Sequence, residues 1–290
     1  MSVRIVECTS PRDFVDAQSV HQRVWGLNDL ETLPAHVISA SVKAGACVLC
    51  AYVDDEPVGF LYSMPGWDGQ RNHAFLYIHN LGVVVDSEGR GIGLALMRHA
   101  LSVARGLGLA SARWAFDPLV SRNASLYLNG VGASVVSYEV DYWGDMDDEV
   151  NRGIGSDRLL VDVALQGSER ARGASASRSG EDSWAALVPL ESTPTLNTPK
   201  LAADGRLHPR QCSELALSDV VDCWLLAIPA DLSTRDEGWN KWIWQWRLHL
   251  RAVFVEVLSH GLAVEGFRRT GTAINYYIVR RRSDIDGVDL

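Results

Sequence analysis

The sequence predicts an α/β fold built on a mixed sheet, followed by a second, smaller α/β domain. Three observations carry this. Apolar β-rich runs and helical patterns follow one another over residues 1–165 in the order β-α-α-β-β-β-α-β-α-β-β, which is not a plain alternation of strand and helix. A long run, HAFLYIHNLGVVV (73–85), is apolar enough at its end for a central strand and feeds into the glycine-rich EGRGIGLAL (88–96), which opens a helix. A stretch rich in Gly, Ser, Ala, Thr and Pro then separates these elements from a further β-α-β-β pattern.

The elements follow in order. Val3–Cys8 is a short strand. Ser10 and Pro11 suit a helix start, and Phe14–Trp25 reads as that helix, stopped by Gly26. A shorter helix covers Ala35–Lys43. The strands Cys47–Val53 and Val58–Met64 flank Asp54-Asp55-Glu56, acidic turn residues that point to a hairpin. A polar loop, PGWDGQRNHA (65–74), leads to the central strand Phe75–Val85. Within Gly91–Leu107, Ile92, Leu96, Ala100, Val103 and Leu107 fall near helical spacing. Ser111–Phe116 is a strand, and Ser121 caps a helix that runs to about Asn129, where Gly130 and Gly132 stop it. The strands Ala133–Trp143 and Arg158–Leu165 enclose an acidic loop within YWGDMDDEVNRGIGSDR (142–158), which is either a lid or acceptor pocket or a solvated loop.

Residues 1–165 are thus one expected domain. Residues 166–208 read as a flexible insert or linker, because GSERARGASASRSG (167–180) has no periodicity and its small polar residues cannot offset the entropy of ordering. Residues 209–290 form the second expected domain, with strands Cys223–Ile228, Leu262–Phe267 and Ile274–Val279 around a helix Glu237–Ser259. Its β-α-β-β order repeats that of residues 111–165, so it is either a degenerate second copy of that half-fold or a dimerisation or lid domain. Trp239, Trp242 and Trp246 share one helical stripe and read as packing residues, whereas Trp244 lies off it.

Composition narrows the function. With 290 residues, 47% of them hydrophobic, the chain can bury a sizeable core. A net charge of -9 argues against nonspecific affinity for nucleic acid or anionic membrane. The five cysteines do not form an even set, and Cys47 and Cys50 sit in an apolar strand, ACVLCAYV (46–53), so they read as buried thiols. No signal-peptide pattern and no bilayer-length apolar run is present, which leads to the expectation of a soluble cytoplasmic protein. The eight histidines show no tight metal-ligand spacing, and no metal is expected. A Ser-His-Asp hydrolase would want a G-x-S-x-G turn, which the sequence lacks.

The glycine turn is the chemical signal. A helix start presents unpaired backbone N–H groups, and Gly89, Gly91 and Gly93 let a diphosphate approach them closely. No Lys-Ser or Lys-Thr follows, so this is not a kinase-type phosphate loop. A dinucleotide-binding oxidoreductase remains an alternative, with Asp117 forced into the role of ribose partner.

The strand HAFLYIHNLGVVV, the turn EGRGIGLAL, the strand ARWAF (112–116) and the helical SRNASLYLNGVGA (121–133) together resemble the Gcn5-related N-acetyltransferase (GNAT) superfamily, over about residues 3–165. The resemblance implies that the central strand splays from its neighbour and that acyl-coenzyme A lies in the gap. It places Leu81 and Val83 beside the pantetheine, and Glu88 (through its backbone), Gly89, Arg90, Gly91, Ile92 and Gly93 around the diphosphate, with Asn123 as a further pantetheine contact. The family often has Gln or Arg where Glu88 stands, and a tyrosine four residues before a Gly-Phe pair. Here the pair is Gly132-Ala133, that place holds Leu128, and Tyr127 is one residue earlier. Either the helix is adjusted by one residue or the tyrosine does not reach the thiolate. The phrase FDPLVSRNASLYLNGVGA (116–133) and the long tail also resemble a two-domain branch of predicted acetyltransferases linked to acylation of amino acids, N-succinylation included.

The expected reaction is direct transfer of an acyl group, acetyl or succinyl, from acyl-coenzyme A to the amine of a small molecule or amino acid. Such attack needs a neutral amine, an aligned carbonyl and a donor for the developing oxyanion. His79 suits removal of a proton from the ammonium, and Tyr127 suits protonation of the departing sulfur. Asp117, before Pro118, either orients an amine or fixes a turn, and Arg122 either grips a substrate carboxylate or forms a surface ion pair. A degenerate domain that binds acyl-coenzyme A without turnover is the rival reading, and a homodimer stays open.

Overall fold

The computed structural model describes residues 2–144, 153–166, 187–210, 217 and 220–281. The described residues fall into two units: 2–115 with 162–166, and 116–144 with 153–161, 187–210, 217 and 220–281. Described residues between 116 and 161, Asp117, Asn129 and Asp157 among them, share hydrogen bonds and ion pairs with the C-terminal elements, a tertiary preference with no trace in local sequence pattern.

The first unit begins with β1 (Val3–Glu7) and α1 (Pro11–Trp25). Ser10 and Asp13 form the reciprocal cap that holds the start of α1, with the Asp13 carboxylate accepting the Ser10 N–H at 2.7 Å. Helix α2 (Ala35–Lys43) matches its expected span. Strands β2 (Val48–Val53) and β3 (Glu56–Asp68) meet in a two-residue turn in which Asp54 and Asp55 both have positive φ, 50° and 64°, the geometry a tight hairpin demands. β3 is longer than expected: it pairs with β4 (His73–Val83) through Asp68, and only residues 69–72 are loop. Pro65 is tolerated because β2 ends opposite Tyr62, which leaves β3 one neighbour at that point. Helix α3 (Ile92–Gly106) and β5 (Ser111–Phe116) follow; Leu107 lies beyond the helix and is exposed. The strand order is β1-β2-β3-β4-β5, with β7 (Arg158–Ala164) next in the sheet.

Helices cover both faces of this sheet. A Cβ added to Gly59 would lie 3.0 Å from Ile92 on α3, and one added to Gly82 would lie 2.6 Å from Val24 on α1, so each glycine admits one helix to its own face. Cys8, Cys47 and Cys50 are buried free thiols; burial pushes Cys47 up to about 12, which fits the expectation of inert packing residues.

The second unit opens with α4 (Ser121–Ala124), which continues as a π-helical segment, Ser125–Val131, and ends at Gly132 with φ 76°. Gly130 lies inside that segment and does not stop it. β6 (Ser134–Glu139) neighbours β7 in the strand order. β8 (Lys200–Leu201) and β9 (Leu207–His208) form a small hairpin, so this part of the expected linker is ordered. Leu196 and Leu207 are buried there, and the Asn197 side chain exchanges hydrogen bonds with the Ala227 backbone at 2.9 and 2.7 Å. Two buried leucines and one amide suffice where composition predicted looseness; the stretch 167–180 lies outside the described residues.

β10 (Cys223–Pro229), α5 (Trp239–Ser259), β11 (Leu262–Arg268) and β12 (Ile274–Arg281) complete the chain. Their sheet is ordered β10-β12-β11, antiparallel throughout its pairings. The last strand thus lies in the middle, as β7 lies between β5 and β6. The repeated β-α-β-β pattern therefore extends to strand order. Trp239, Trp242 and Trp246 are buried on one stripe of α5, and the indole N–H groups of Trp242 and Trp246 both donate to the Leu207 carbonyl. Trp244, off that stripe, is partly exposed. Among the described residues, no helix is long and apolar enough to cross a membrane.

Candidate active site

In the first unit the site is built from backbone. β4 and β5 run parallel and pair only at Phe75–Tyr77 with Ser111–Arg113. Beyond that point β4 runs on to Val83 and β5 to Phe116 with no further rung between them, so the strands part. Leu81 and Val83 lie on this stretch of β4, both half-buried. On its other edge β4 carries a bulge: Tyr62 faces Asn80 and Ser63 faces Ile78, which makes His79 the inserted residue. A bulge bends its strand and re-aims the local groups.

The turn after β4 leads to the start of α3. A 3₁₀ turn at Val85–Ser87 precedes Glu88, and Gly89 and Gly91 take left-handed φ values of 73° and 76°. Gly91 is the N-cap of α3 and offers no side chain to the first-turn amides, which include those of Ile92 and Gly93. An added Cβ at Gly89 or Gly91 would meet nothing within 4 Å. The turn therefore combines backbone that glycine alone adopts readily with open space in front of it, which fits a diphosphate. Arg90 is exposed, and Glu88 is half-buried.

The His79 ring reaches solvent yet sits among aromatic rings, 6.2 Å from both Tyr62 and Tyr77. Partial desolvation lowers its pKa below the ordinary imidazole value, so the neutral form that can take a proton prevails at neutral pH. Tyr62 is itself fixed by a 2.8 Å hydrogen bond between its hydroxyl and Ser41 Oγ. His21, buried beside Phe60 and Trp25, is pushed down to about 4 by burial, and its Nδ1 accepts the Leu33 N–H.

The remaining expected site residues belong to the second unit. The Asp117 carboxylate accepts two hydrogen bonds from Arg247, at 2.7 and 2.6 Å, and the Leu119 N–H at 2.9 Å. Burial alone would raise its pKa, but the Arg247 charge and hydrogen bonds outweigh it and hold the carboxyl below its usual value. Arg122 is exposed and Asn123 half-buried. Tyr127 is buried, its ring packed 5.3 Å from Phe116, and desolvation raises its hydroxyl pKa. It stands in the π-helical segment. Such a segment accommodates one residue more than an α-helix of the same rise, which is the size of the offset between Tyr127 and Leu128.

Several residues were not visible as site or scaffold in the sequence. Arg247 is fully buried on α5, where its spacing marks an ordinary helix position. Asp157 is fully buried and accepts from Tyr138 Oη at 2.7 Å and from Arg251 Nε and Nη2 at 2.9 and 2.8 Å. The described end of the acidic loop, residues 153–158, is thus a buried hub in part; residues 145–152 lie outside the described residues. Among the described residues, no group of three or more His, Cys, Asp or Glu could hold a metal ion.

Residues 15–132 match the family model "Acetyltransferase (GNAT) family". No curated protein matches. Solved structures that match include the ribosomal-protein-S18-alanine N-acetyltransferase of Escherichia coli, at 14% identity over 58% of this chain and 96% of that one, with a TM-score of 0.46. A GNAT-family acetyltransferase of Streptococcus pneumoniae gives 14% identity over 57% of this chain and 100% of that one, with a TM-score of 0.47. The IAA acetyltransferase of Bacillus cereus gives 19%, 56%, 99% and 0.42 in the same order. At that identity and fit, these likenesses carry nothing about what this chain acts on. The match spans residues 15–132, less than half of the chain, and makes that part similar to GNAT acetyltransferases.

Proposed function

We propose that the chain moves an acyl group from acyl-coenzyme A to the amine of a small molecule or amino acid, directly and without an acyl-enzyme. The observation that carries this reading is the parting of β4 from β5 beside the uncapped, glycine-opened start of α3. An extended arm can follow the edge of β4 at Leu81 and Val83 while a diphosphate meets the amides of residues 88–93. Asn123 is a further contact for the arm, and Arg90 supplies positive charge at the phosphates.

Acyl-coenzyme A supplies the activated carbonyl. The chain's part is to align the amine, take its proton and protonate the leaving sulfur. His79 takes the proton, directly or through water, with its lowered pKa keeping it neutral. Tyr127 gives its proton to the thiolate; burial suits it to remain protonated until then. Arg122 holds a carboxylate on the acceptor. Asp117 fixes the turn after β5, since Arg247 and Leu119 already engage its oxygens.

A panel of acyl-coenzyme A donors, acetyl and succinyl among them, against amines and amino acids tests this, with free thiol and product mass as readouts. N-acylated product from at least one pair is expected. His79→Gln is expected to lower turnover by about 10²–10⁴ at neutral pH. Tight donor binding with no turnover on any amine would favour the degenerate reading, and no donor binding to the folded protein overturns both.

A further inference from the structure

The helix after β5 does not hold itself. Four α-helical residues, Ser121–Ala124, are followed by the π-helical Ser125–Val131, and π turns are rare and poorly self-supporting. Side-chain ties to the C-terminal sheet supply the missing constraint. Tyr277 Oη on β12 donates to the Pro118 carbonyl at 2.6 Å. Ser121 Oγ donates to the Pro229 carbonyl at 3.3 Å and accepts from Asn275 Nδ2 at 3.1 Å. At the far end, Asn129 Nδ2 donates to the Phe267 carbonyl at 2.6 Å while its Oδ1 accepts the Phe267 N–H at 3.1 Å. Phe267 lies on β11, an outer strand of the β10-β12-β11 sheet, so the Asn129 amide acts as one rung of a missing neighbour.

From this geometry we infer that Asn129 is a positioning residue that fixes the π-helical turn bearing Tyr127 onto the C-terminal sheet. Asn129 is two residues from Tyr127, whose carbonyl accepts the N–H groups of both Gly132 and Ala133 and so closes the same turn. An amide is needed there because one side chain must donate and accept at once. The C-terminal β-α-β-β region then serves as a platform for the helix that carries Asn123 and Tyr127. The kinetic consequence rests on the reading of Tyr127 as the acid.

The test compares wild type, Asn129→Ala, Tyr127→Phe and the double variant, all as the full chain. Native-state hydrogen exchange comes first. Asn129→Ala should lower protection of the Phe267, Gly132 and Ala133 amides by about tenfold, the worth of the lost hydrogen bonds, while the amides paired between β10 and β12 keep theirs. Unchanged protection at 132 and 133, or an equal fall over the whole sheet, overturns the inference. Turnover follows, with a donor and amine pair from the panel. Asn129→Ala should cost about tenfold in kcat with the donor KM unchanged, and should cost no more than about twofold further in the Tyr127→Phe background. Full additivity in the double variant removes Asn129 from any action through Tyr127. If Tyr127→Phe alone leaves kcat unchanged, the acid reading fails, and hydrogen exchange still decides whether Asn129 holds the turn.

Discussion

The turn after β4 and the turn after β5 are built in opposite ways. The first ends in Gly89 and Gly91, has no side-chain cap on α3, and faces open space. The second holds Asp117, whose oxygens accept from Leu119 N–H and from the fully buried Arg247. A binding site needs donors that the protein itself leaves to a ligand. A scaffold needs every buried donor and acceptor satisfied from within. The difference is the ground for proposing the ligand at the first turn and the support at the second, although both turns follow central strands and both draw on backbone N–H groups.

The contrast breaks most visibly at Arg247. Arg247→Met leaves the buried Asp117 carboxylate with Arg158, 4.0 Å away, as its remaining counter-charge and without its two closest hydrogen bonds, and a loss of up to about 3–5 kcal/mol in urea unfolding is expected. Adding Asp117→Asn should recover much of it; no recovery would mean that the charge pair is not the source. The pH dependence follows with its sign. The folded pKa of Asp117 lies below its unfolded value, so its stabilisation is complete above about 3.9 and fades as pH falls through the folded value. Acid unfolding of the second unit should therefore begin below about pH 4, and the Arg247→Met variant should no longer show that limb.

At the other turn, Gly91→Ala should cost about 1–2 kcal/mol of stability, because a left-handed φ penalises a Cβ although nothing crowds it. Its larger mark should fall on the ligand. Calorimetry should show acetyl-coenzyme A binding weakened by about tenfold or more, whereas Arg247→Met, wherever it remains folded, should leave the dissociation constant nearly unchanged. Equal affinity for wild type and Gly91→Ala would take the diphosphate away from this turn. The smallest effect belongs to Glu88→Gln. Removal of a carboxylate beside a bound polyanion should tighten binding by up to about fivefold, and less at high salt.

His79 sharpens the comparison from the catalytic side. Its lowered pKa predicts an acidic limb of the kcat/KM profile below the ordinary imidazole value of about 6.5, and that limb should vanish in His79→Gln. A limb at or above that value would assign the titration to another group.

Local pattern determined much of this molecule. Helix α2 and strand β5 were legible to the residue, because apolar period and turn chemistry act within a few neighbours. Gly89 and Gly91 announced the left-handed turn before α3 for the same reason: backbone freedom is a property of the residue itself. Pro65 hid the extension of β3, since its tolerance depends on where β2 stops. The order of residues 187–208 was hidden too, because a few buried anchors outweigh composition only after their partners on β10 and α5 are in place. Arg247 with Asp117 and Asn129 with Phe267 join residues more than a hundred positions apart. Nothing in the chain near either end marks such a pair, for the free energy that selects it arises only when burial removes water from both groups. The sequence by itself determined the elements, the glycine turn and the family likeness. Only the tertiary structure decided that Asp117, Asn129 and Asp157 find their partners in the C-terminal elements, because polar groups choose partners by geometry and desolvation rather than by order along the chain.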